Sequence, residues 1–196
     1  MLTGANSAFH PGQVYAFVLV EGQILLRHVL VVLSHFLPSA EINVIRPLRF
    51  LEQKQEITVE VMLEEVVTPA HVAAADVIVA CRNMEPIHQP IFEFAASLGV
   101  PWLYDLDDNL WEVPDEEAHS AYYHHPARLE MLSWLLQHAH KVRVHSRQLR
   151  ELVLPHNPNV RLVWAAVDLS LVPRTLPSLP EDCFHIVYAT SRRGGD

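Results

Sequence analysis

Lysine is scarce in this 196-residue chain. Only Lys54 and Lys141 occur, and the 14 lysines and arginines together face 23 aspartates and glutamates, which gives a formal net charge of −9. Nucleic-acid binding requires a positively charged stripe along the phosphate backbone, so the composition predicts no nucleic-acid partner. The same shortage argues against a polybasic membrane patch but leaves room for a peripheral membrane contact of another kind.

Cysteine and long apolar runs are also scarce. Cys81 and Cys183 lie far apart, and Cys81 is within an apolar run, so we expect two buried free thiols in a reducing compartment. The longest apolar run, HVLVVLSHFL at 28–37, is too short to cross a bilayer and lacks a cleavage-site pattern. We therefore expect a cytoplasmic protein without a transmembrane segment.

Low-complexity tracts are absent, and apolar runs with strand character alternate with segments of helical periodicity. The predicted strands cover 28–34, 56–64, 77–82, 100–106, 142–146 and 160–168, and the predicted helices cover 40–53, 68–76, 88–99, 126–141 and 146–155. This alternation predicts an α/β fold with a Rossmann-like parallel sheet flanked by helices. The continuous run at 28–34 indicates a strand covered on both faces, and the alternation at 56–64 a strand nearer the edge.

Two details of this pattern are less regular. Pro47 either interrupts the helix over 40–53 or marks where it properly begins. The segment QVYAFVLV at 13–20 precedes the regular alternation and is interpreted as an extra strand.

The domain organisation follows from a proline-rich segment. Three prolines fall within eight positions at 173–180, so 169–183 is predicted to be a linker that follows a domain at 1–168. A new apolar strand begins after it, and 184–196 is interpreted as the first strand of a second domain whose remainder is missing.

An acidic cluster follows the predicted strand at 100–106. Asp105, Asp107, Asp108 and Asn109 lie in the stretch YDLDDNLW, at a carboxyl strand end where open α/β sheets place their ligand crevice. One interpretation is a helix cap in a solvated loop. The others are a Mg²⁺ or Mn²⁺ site, nucleophilic phosphate chemistry, and recognition of sugar hydroxyls.

Other polar residues are predicted near the same edge of the sheet. Arg82, Ser146 and Asp168 end their own strands, and Trp111 follows the acidic cluster. Arg82 and Arg46 either bind a phosphate or carboxylate of a ligand or form salt bridges with the nearby aspartates. Ser146 is interpreted as a helix N-cap as well as a site residue, Asp168 as a hinge cap or a cleft residue, and Trp111 as core or as a sugar contact.

Histidine is abundant, with thirteen residues. The clustered ones, His119, His124, His125, His138 and His140, have no cysteine near them, and the helical His-x-x-x-His spacing of a metal site is absent. We expect solvated or capping histidines and no metal site.

The stretch YDLDDNLW resembles the first motif of haloacid-dehalogenase-type phosphatases. In that interpretation Asp105 is the nucleophile and Asp107 the acid/base. The chain differs from the family because several strand–helix units precede the motif and Lys141 is the sole lysine after it.

A second resemblance covers residues 28–196. Six segments, in order, are similar to the N-terminal half of GT-B-type glycosyltransferases of the large group 1 kind, in particular a bacterial subset with a Tyr-Asp-x-Asp-Asp strand end. These are INVIRPLRFLEQ, AADVIVACR, GVPWLYDLDDNLWEVP, AHKVRVHSRQLRELV, NVRLVWAAVDLS and FHIVYATSRRGGD. The chain departs from the pattern at Ala165 and Ala166, where an Asn is usual, and at Thr190, where a Gly is usual.

This resemblance implies transfer of a sugar from a nucleotide-sugar donor to a hydroxyl of a glycan acceptor, for a cell-surface polysaccharide or similar product, without a metal or resident cofactor. The N-terminal domain supplies the acceptor side, so the acidic cluster, with Asp105 and Asp107 as catalytic candidates, faces acceptor or sugar. The missing C-terminal domain holds the donor, so this chain alone is expected to show little or no transfer. A non-catalytic half-domain that only binds a partner is the third hypothesis.

Overall fold

Six strands pair in parallel to form the central sheet, which confirms the predicted α/β, Rossmann-like class. The computed structural model describes residues 18–20, 23–25, 27–117 and 119–164, so the predictions for Asp168, Cys183, the linker and the second domain lie outside the described residues. The strands are β1 (Val18–Val20) and β2 (Gln23–Leu25), which form a separate antiparallel pair, and then β3 (Arg27–Leu33), β4 (Ile57–Leu63), β5 (Val77–Cys81), β6 (Trp102–Leu106), β7 (Lys141–Val144) and β8 (Val160–Leu162).

The order of strands across the sheet is β4-β3-β5-β6-β7-β8. β4 is an edge strand, as its alternating pattern predicts, and β3 is covered on both faces, with Val29 to Leu33 at most 5% exposed. The chain goes from β3 outward to β4 and then back past β3 to β5, so the direction of strand addition reverses between β3 and β5. Open α/β sheets bind ligands beside such a reversal, at the carboxyl ends of the strands.

Right-handed connections decide which face of the sheet each helix covers. The helices are α1 (Pro38–Ala40), α2 (Arg46–Gln53), α3 (Pro69–Ala74), α4 (Gln89–Leu98), α5 (Ser120–Tyr123), α6 (Pro126–His138) and α7 (Arg147–Val153). The connection from β3 to β4, which contains α1 and α2, covers one face. The later connections run in the opposite direction, so α3, α4, α6 and α7 pack in the larger core on the other face.

The alternation of β6 between these faces positions the acidic residue that it carries. Trp102, Tyr104 and Leu106 belong to the larger core. Successive side chains of a strand point to opposite faces, so Asp105 faces the smaller core, which contains Cys81 and Val44. The Asp105 carboxylate therefore lies on the face of the sheet that α1 and the turns after it cover.

The helix ends follow the predicted signals closely. α3 has Thr68 as its N-cap and Pro69 in its first turn, and Pro126 opens α6. Gly99 closes α4 at φ +71°, a left-handed conformation that glycine adopts without a Cβ penalty.

Three segments differ in detail from the sequence prediction. A π-helical stretch, Glu41–Ile45, joins α1 to α2, so Pro47 does not break the helix but lies in the first turn of α2. β8 ends at Leu162, whereas the predicted strand continues to 168. Residues 163–164 are described and do not belong to the strand, and 165–168 lie outside the described residues. An extra strand was predicted at 13–20. Its described residues, 18–20, form β1.

Two compositional predictions can also be compared with the fold. Cys81 is a buried free thiol, as expected. No helix among the described residues is long and apolar enough to cross a membrane.

Candidate functional site

A cavity of about 440 Å³ lies at the carboxyl ends of β3, β4 and β5, beside the reversal of strand order. Its walls come from the segments that follow these three strands and from the segment around α5. The lining is polar and aromatic and consists of Ser34, His35, Glu64, Glu65, Glu85, His88, His119, Tyr122 and Tyr123. This is the position at which parallel α/β sheets bind ligands, so we treat the cavity as the candidate site.

Glu64 is the most buried acidic group of the cavity and directly follows β4. The residue is 5% exposed, and Asn83 Nδ2 donates to its Oε2 at 2.6 Å. Burial raises the pKa of Glu64 to about 7, with help from the charges of Glu85 and Glu65 and against the effect of the Asn83 hydrogen bond. A carboxyl group that titrates near neutral pH can accept or donate a proton there.

Glu85, which also lines the cavity, is held ionised by a hydrogen-bond network. Arg128 Nε donates to Glu85 Oε1 at 2.9 Å, and the Arg128 guanidinium lies 3.9 Å from the centroid of the Tyr122 ring. Burial acts to raise the pKa of Glu85, but the hydrogen bonds from Arg128 and Tyr122 outweigh it and lower the pKa. The pKa of Tyr122 is raised, first by burial and then by Glu85, so its hydroxyl stays a hydrogen-bond donor.

His35 presents a neutral imidazole to the cavity. Its Nδ1 is 2.8 Å from Ser34 Oγ. Burial lowers the pKa of His35, and the positive charge of Arg82 and the neighbouring His119 lower it further. Near neutral pH the ring therefore offers one donor and one acceptor.

Three predicted site residues form an ion-pair cluster next to His35. Arg82 Nε donates to Asp107 Oδ1 at 2.6 Å, and its Nη2 donates to Asp108. Burial acts to raise the pKa of Asp107, but hydrogen bonding to Arg82 and its charge lower it overall. Two roles were predicted for Arg82, ligand binding and salt bridges with the aspartates, and the structure shows the salt bridges.

The backbone of Arg82 is strained. Its φ is +57°, in the left-handed region that non-glycine residues enter at a cost of about 1 kcal/mol or more. The residue directly follows β5, and its side chain is 12% exposed between the two carboxylates. The ion pairs with Asp107 and Asp108 therefore help to hold a turn that ends the strand at the cavity.

Asp105 lies in a second, buried cluster. Its side chain is 1% exposed, Arg143 Nε donates to its Oδ1 at 2.5 Å, and His145 Nε2 lies 3.1 Å from the same atom. The buried His145 Nδ1 has no hydrogen-bond partner. The carboxylate of Asp105 is thus occupied by side chains of β7 and the residue after it, and its catalytic role stays a prediction.

The remaining predicted residues have structural contacts of their own. Asn109 Oδ1 accepts from the Trp111 backbone N–H at 3.2 Å, and the Trp111 ring stacks on His156 with centroids 5.6 Å apart. Ser146 caps α7, because its Oγ accepts from the Leu149 N–H at 3.1 Å. Arg46 is exposed and pairs with Glu41 at 3.1 Å rather than with the aspartates. The structure therefore brings Arg82, Asp107 and Asp108 together, but not Arg46.

Sequence reasoning missed most of the cavity lining. The predicted site residues follow β5, β6, β7 and β8, whereas Ser34 and Glu64 follow β3 and β4 and were not predicted. Arg143 and His145 were not predicted either. The signal was present in VRVHS, since polar side chains alternate there with buried valines, which indicates a partner for them on one face of the sheet.

The chemistry of the cavity rests on hydrogen-bonding groups. No set of three or more His, Cys, Asp or Glu side chains within the described ranges is arranged to hold a metal ion. Neither the protein-family models nor the curated proteins that were compared with this chain contain a match to it.

Proposed function

We propose that this domain is the acceptor side of a glycosyltransferase and that the cavity binds the hydroxyl-bearing acceptor. The observation that carries the proposal is the lining of carboxylates, imidazoles and phenols at the reversal of strand order. Such groups accept and donate the hydrogen bonds that sugar hydroxyls need. The six ordered sequence resemblances support the same assignment, and the proposal retains the expected cytoplasmic location.

The charge of the cavity supports an acceptor rather than a nucleotide donor. The described lining residues include three glutamates and no lysine or arginine. The diphosphate of a nucleotide sugar would meet the carboxylates of Glu65 and Glu85 beside the partly protonated Glu64, and like charges at close range repel. The donor is therefore assigned to the predicted second domain, and a neutral polyhydroxylated ligand to the cavity.

Glu64 supplies the acid–base chemistry in this proposal. As the acceptor oxygen forms its bond to the anomeric carbon, the bond from that carbon to the departing diphosphate breaks, and the acceptor proton passes to Glu64. A base with a pKa about 7 is well matched to this transfer near neutral pH. Arg82, Asp107 and Asp108 position the turn beside it.

The other two hypotheses rest on fewer observations. The phosphatase requires an accessible nucleophile at Asp105, whose side chain is 1% exposed and bound by Arg143 and His145. No described contact favours that function. A half-domain that binds the same acceptor without catalysis would use the same cavity, so it shares the binding test below.

Ligand-observed NMR of the 196-residue chain tests the proposal. Glucose, N-acetylglucosamine and maltose serve as neutral probes, and uridine diphosphate as the anionic probe. We expect at least one sugar to bind, and Glu65→Ala, which removes an exposed lining carboxylate, to weaken that binding about tenfold.

The matched control is Glu130→Ala, which removes an exposed carboxylate on α6 outside the cavity lining. We expect it to bind the sugar as the wild type does. Competition between uridine diphosphate and the sugar for the cavity, or binding of no sugar, would refute the proposal.

A further inference from the structure

Asn83 is a fully buried polar residue that binds the cavity residue Glu64. Its side chain is 0% exposed, and its Nδ2 donates to Glu64 Oε2 at 2.6 Å. Its backbone carbonyl accepts a hydrogen bond from the Tyr104 hydroxyl at 2.8 Å. Asn83 therefore connects the carboxyl group that follows β4 to the core residue that β6 contributes.

The other polar atom of this side chain is buried without a partner. No donor of the described residues reaches Asn83 Oδ1. A buried carbonyl oxygen without a donor destabilises a fold, and an apolar side chain of similar size would avoid that penalty. Such violations of good packing are expected where function requires them. The amide of Asn83 is therefore explained by its hydrogen bond to Glu64 rather than by the core around it.

The backbone of Asn83 is held on both sides. Arg82, in its left-handed conformation, ends β5 directly before Asn83, and its ion pairs hold that turn. On the other side the Tyr104 hydroxyl donates to the Asn83 carbonyl, and burial raises the pKa of Tyr104 well above its usual range, so the hydroxyl remains a donor. The amide is thus presented to Glu64 from a fixed position, as a residue that orients a functional group requires.

The surroundings of Glu64 oppose its ionisation except at Asn83. Burial and the charges of Glu85 and Glu65 raise the pKa of Glu64, and of the groups that shift it the Asn83 hydrogen bond is the one that lowers it. Tyr104 is a neutral phenol near the same carboxyl group. The other titratable groups on the cavity walls are His35, His88, His119, Tyr122 and Tyr123.

We propose that Asn83 is a positioning residue for the proton transfer, which orients the Glu64 carboxylate and stabilises its ionised form so that it can act as the base. This inference rests on the proposed function, because it concerns the base which that function uses. The proton of the acceptor hydroxyl passes to Glu64, while Asn83 keeps its own protons. Without the amide, burial beside two carboxylates would leave Glu64 protonated near neutral pH and unable to accept that proton.

A titration of Glu64 tests this inference. NMR of the 196-residue chain with carboxyl-¹³C-labelled glutamate follows the group, and loss of its resonance in Glu64→Gln identifies it. We expect a midpoint at about pH 7 in the wild type. In Asn83→Leu the midpoint should rise by about one pH unit or more, a tenfold change in acid dissociation, because hydrogen bonds to charged groups are the strong ones.

Asn109→Leu is the matched control. Asn109 Nδ2 also donates to a glutamate, Glu112, at 2.8 Å, but at an exposed position outside the cavity lining. We expect this variant to titrate at Glu64 like the wild type.

A second measurement uses the wild type alone. The side-chain amide protons of Asn83 should change their resonance frequency with the same midpoint as Glu64, because they donate to the group that titrates. Asn157 is the internal reference, since its Nδ2 donates to two backbone carbonyls, which do not titrate. If Asn83→Leu does not fold, this measurement decides.

The outcomes separate the two proposals. An unchanged Glu64 midpoint in folded Asn83→Leu, or an Asn83 amide that does not follow the titration of Glu64, overturns the role of Asn83 and leaves the acceptor site standing. A raised midpoint and an amide that follows Glu64 support the role. If no sugar binds the wild type in the experiment above, the proposed function fails, and the part of Asn83 in proton transfer fails with it.

Discussion

Glu64 couples the stability of the domain to pH, because its carboxyl group is buried beside the cavity. The unfolded chain ionises this group near pH 4.5, whereas the folded domain keeps it protonated up to about pH 7. The stabilisation that protonated Glu64 gives the folded domain is therefore complete below pH 4.5. It decreases as the pH rises from 4.5 to 7, and above pH 7 it is lost. The loss amounts to about 3 kcal/mol, at about 1.4 kcal/mol per pKa unit.

Glu64→Gln should remove this pH dependence while keeping an oxygen that accepts from Asn83. Relative to the wild type, we expect the variant to gain about 2–3 kcal/mol in free energy of unfolding between pH 5 and pH 8. Urea unfolding at both pH values measures this gain. The control is Glu65→Gln, an exposed neighbour that should change by less than about 0.5 kcal/mol. A stability difference that is equal at both pH values would contradict the raised pKa.

At the scale of secondary-structure elements, the Arg143 guanidinium joins β6, β7 and the π-helical turn before α2. It donates to Asp105 on β6 and, through Nη2, to the Asn43 carbonyl at 2.7 Å. Pro47, four residues after Asn43, has no N–H to donate to that carbonyl. The side chain of β7 thus donates to a carbonyl to which Pro47 cannot donate.

Arg143→Met should destabilise the domain by about 3 kcal/mol, since it leaves the buried Asp105 carboxylate without its main partner. The double variant Asp105→Asn/Arg143→Met removes the charge as well and should be more stable than Arg143→Met alone. Arg150→Met, at an exposed position on α7, should change stability by less than about 0.5 kcal/mol. Equal unfolding midpoints in urea for Arg143→Met and the control would show that the ion pair is not formed.

At the scale of the whole molecule, the strand order predicts a gradient of amide protection. β3, β5 and β6 have neighbours on both sides, whereas β4 and β8 are the two edges of the sheet. Hydrogen exchange followed by mass spectrometry should find peptides over 27–33, 77–81 and 102–106 slowest, and those over 57–63 and 160–162 faster. Rates are compared with an unfolded reference of the same peptides. If 57–63 exchanged as slowly as 27–33, the edge position of β4 would be wrong.

The sequence predicts the elements of this fold well because their signals are local. The apolar run in β3, the Thr68 and Pro69 start of α3, and Gly99 after α4 each specify an element within a few residues. Arg82 and the Asp107–Asp108 pair follow neighbouring strands, and in the structure they form ion pairs. The sequence does not show that Asp105 is bound by Arg143 and His145, because that contact depends on the register between β6 and β7.

By itself, the sequence determined the fold class, the edge position of β4 and the ends of most helices, since periodicity and capping act over one element. Only the tertiary structure decided which strand ends share a cavity. Glu64, Glu85 and Tyr122 are distant along the chain, and their pKa values depend on burial and charges contributed by other elements. The reversal of strand order between β3 and β5 brings them together, because right-handed connections place those strand ends side by side.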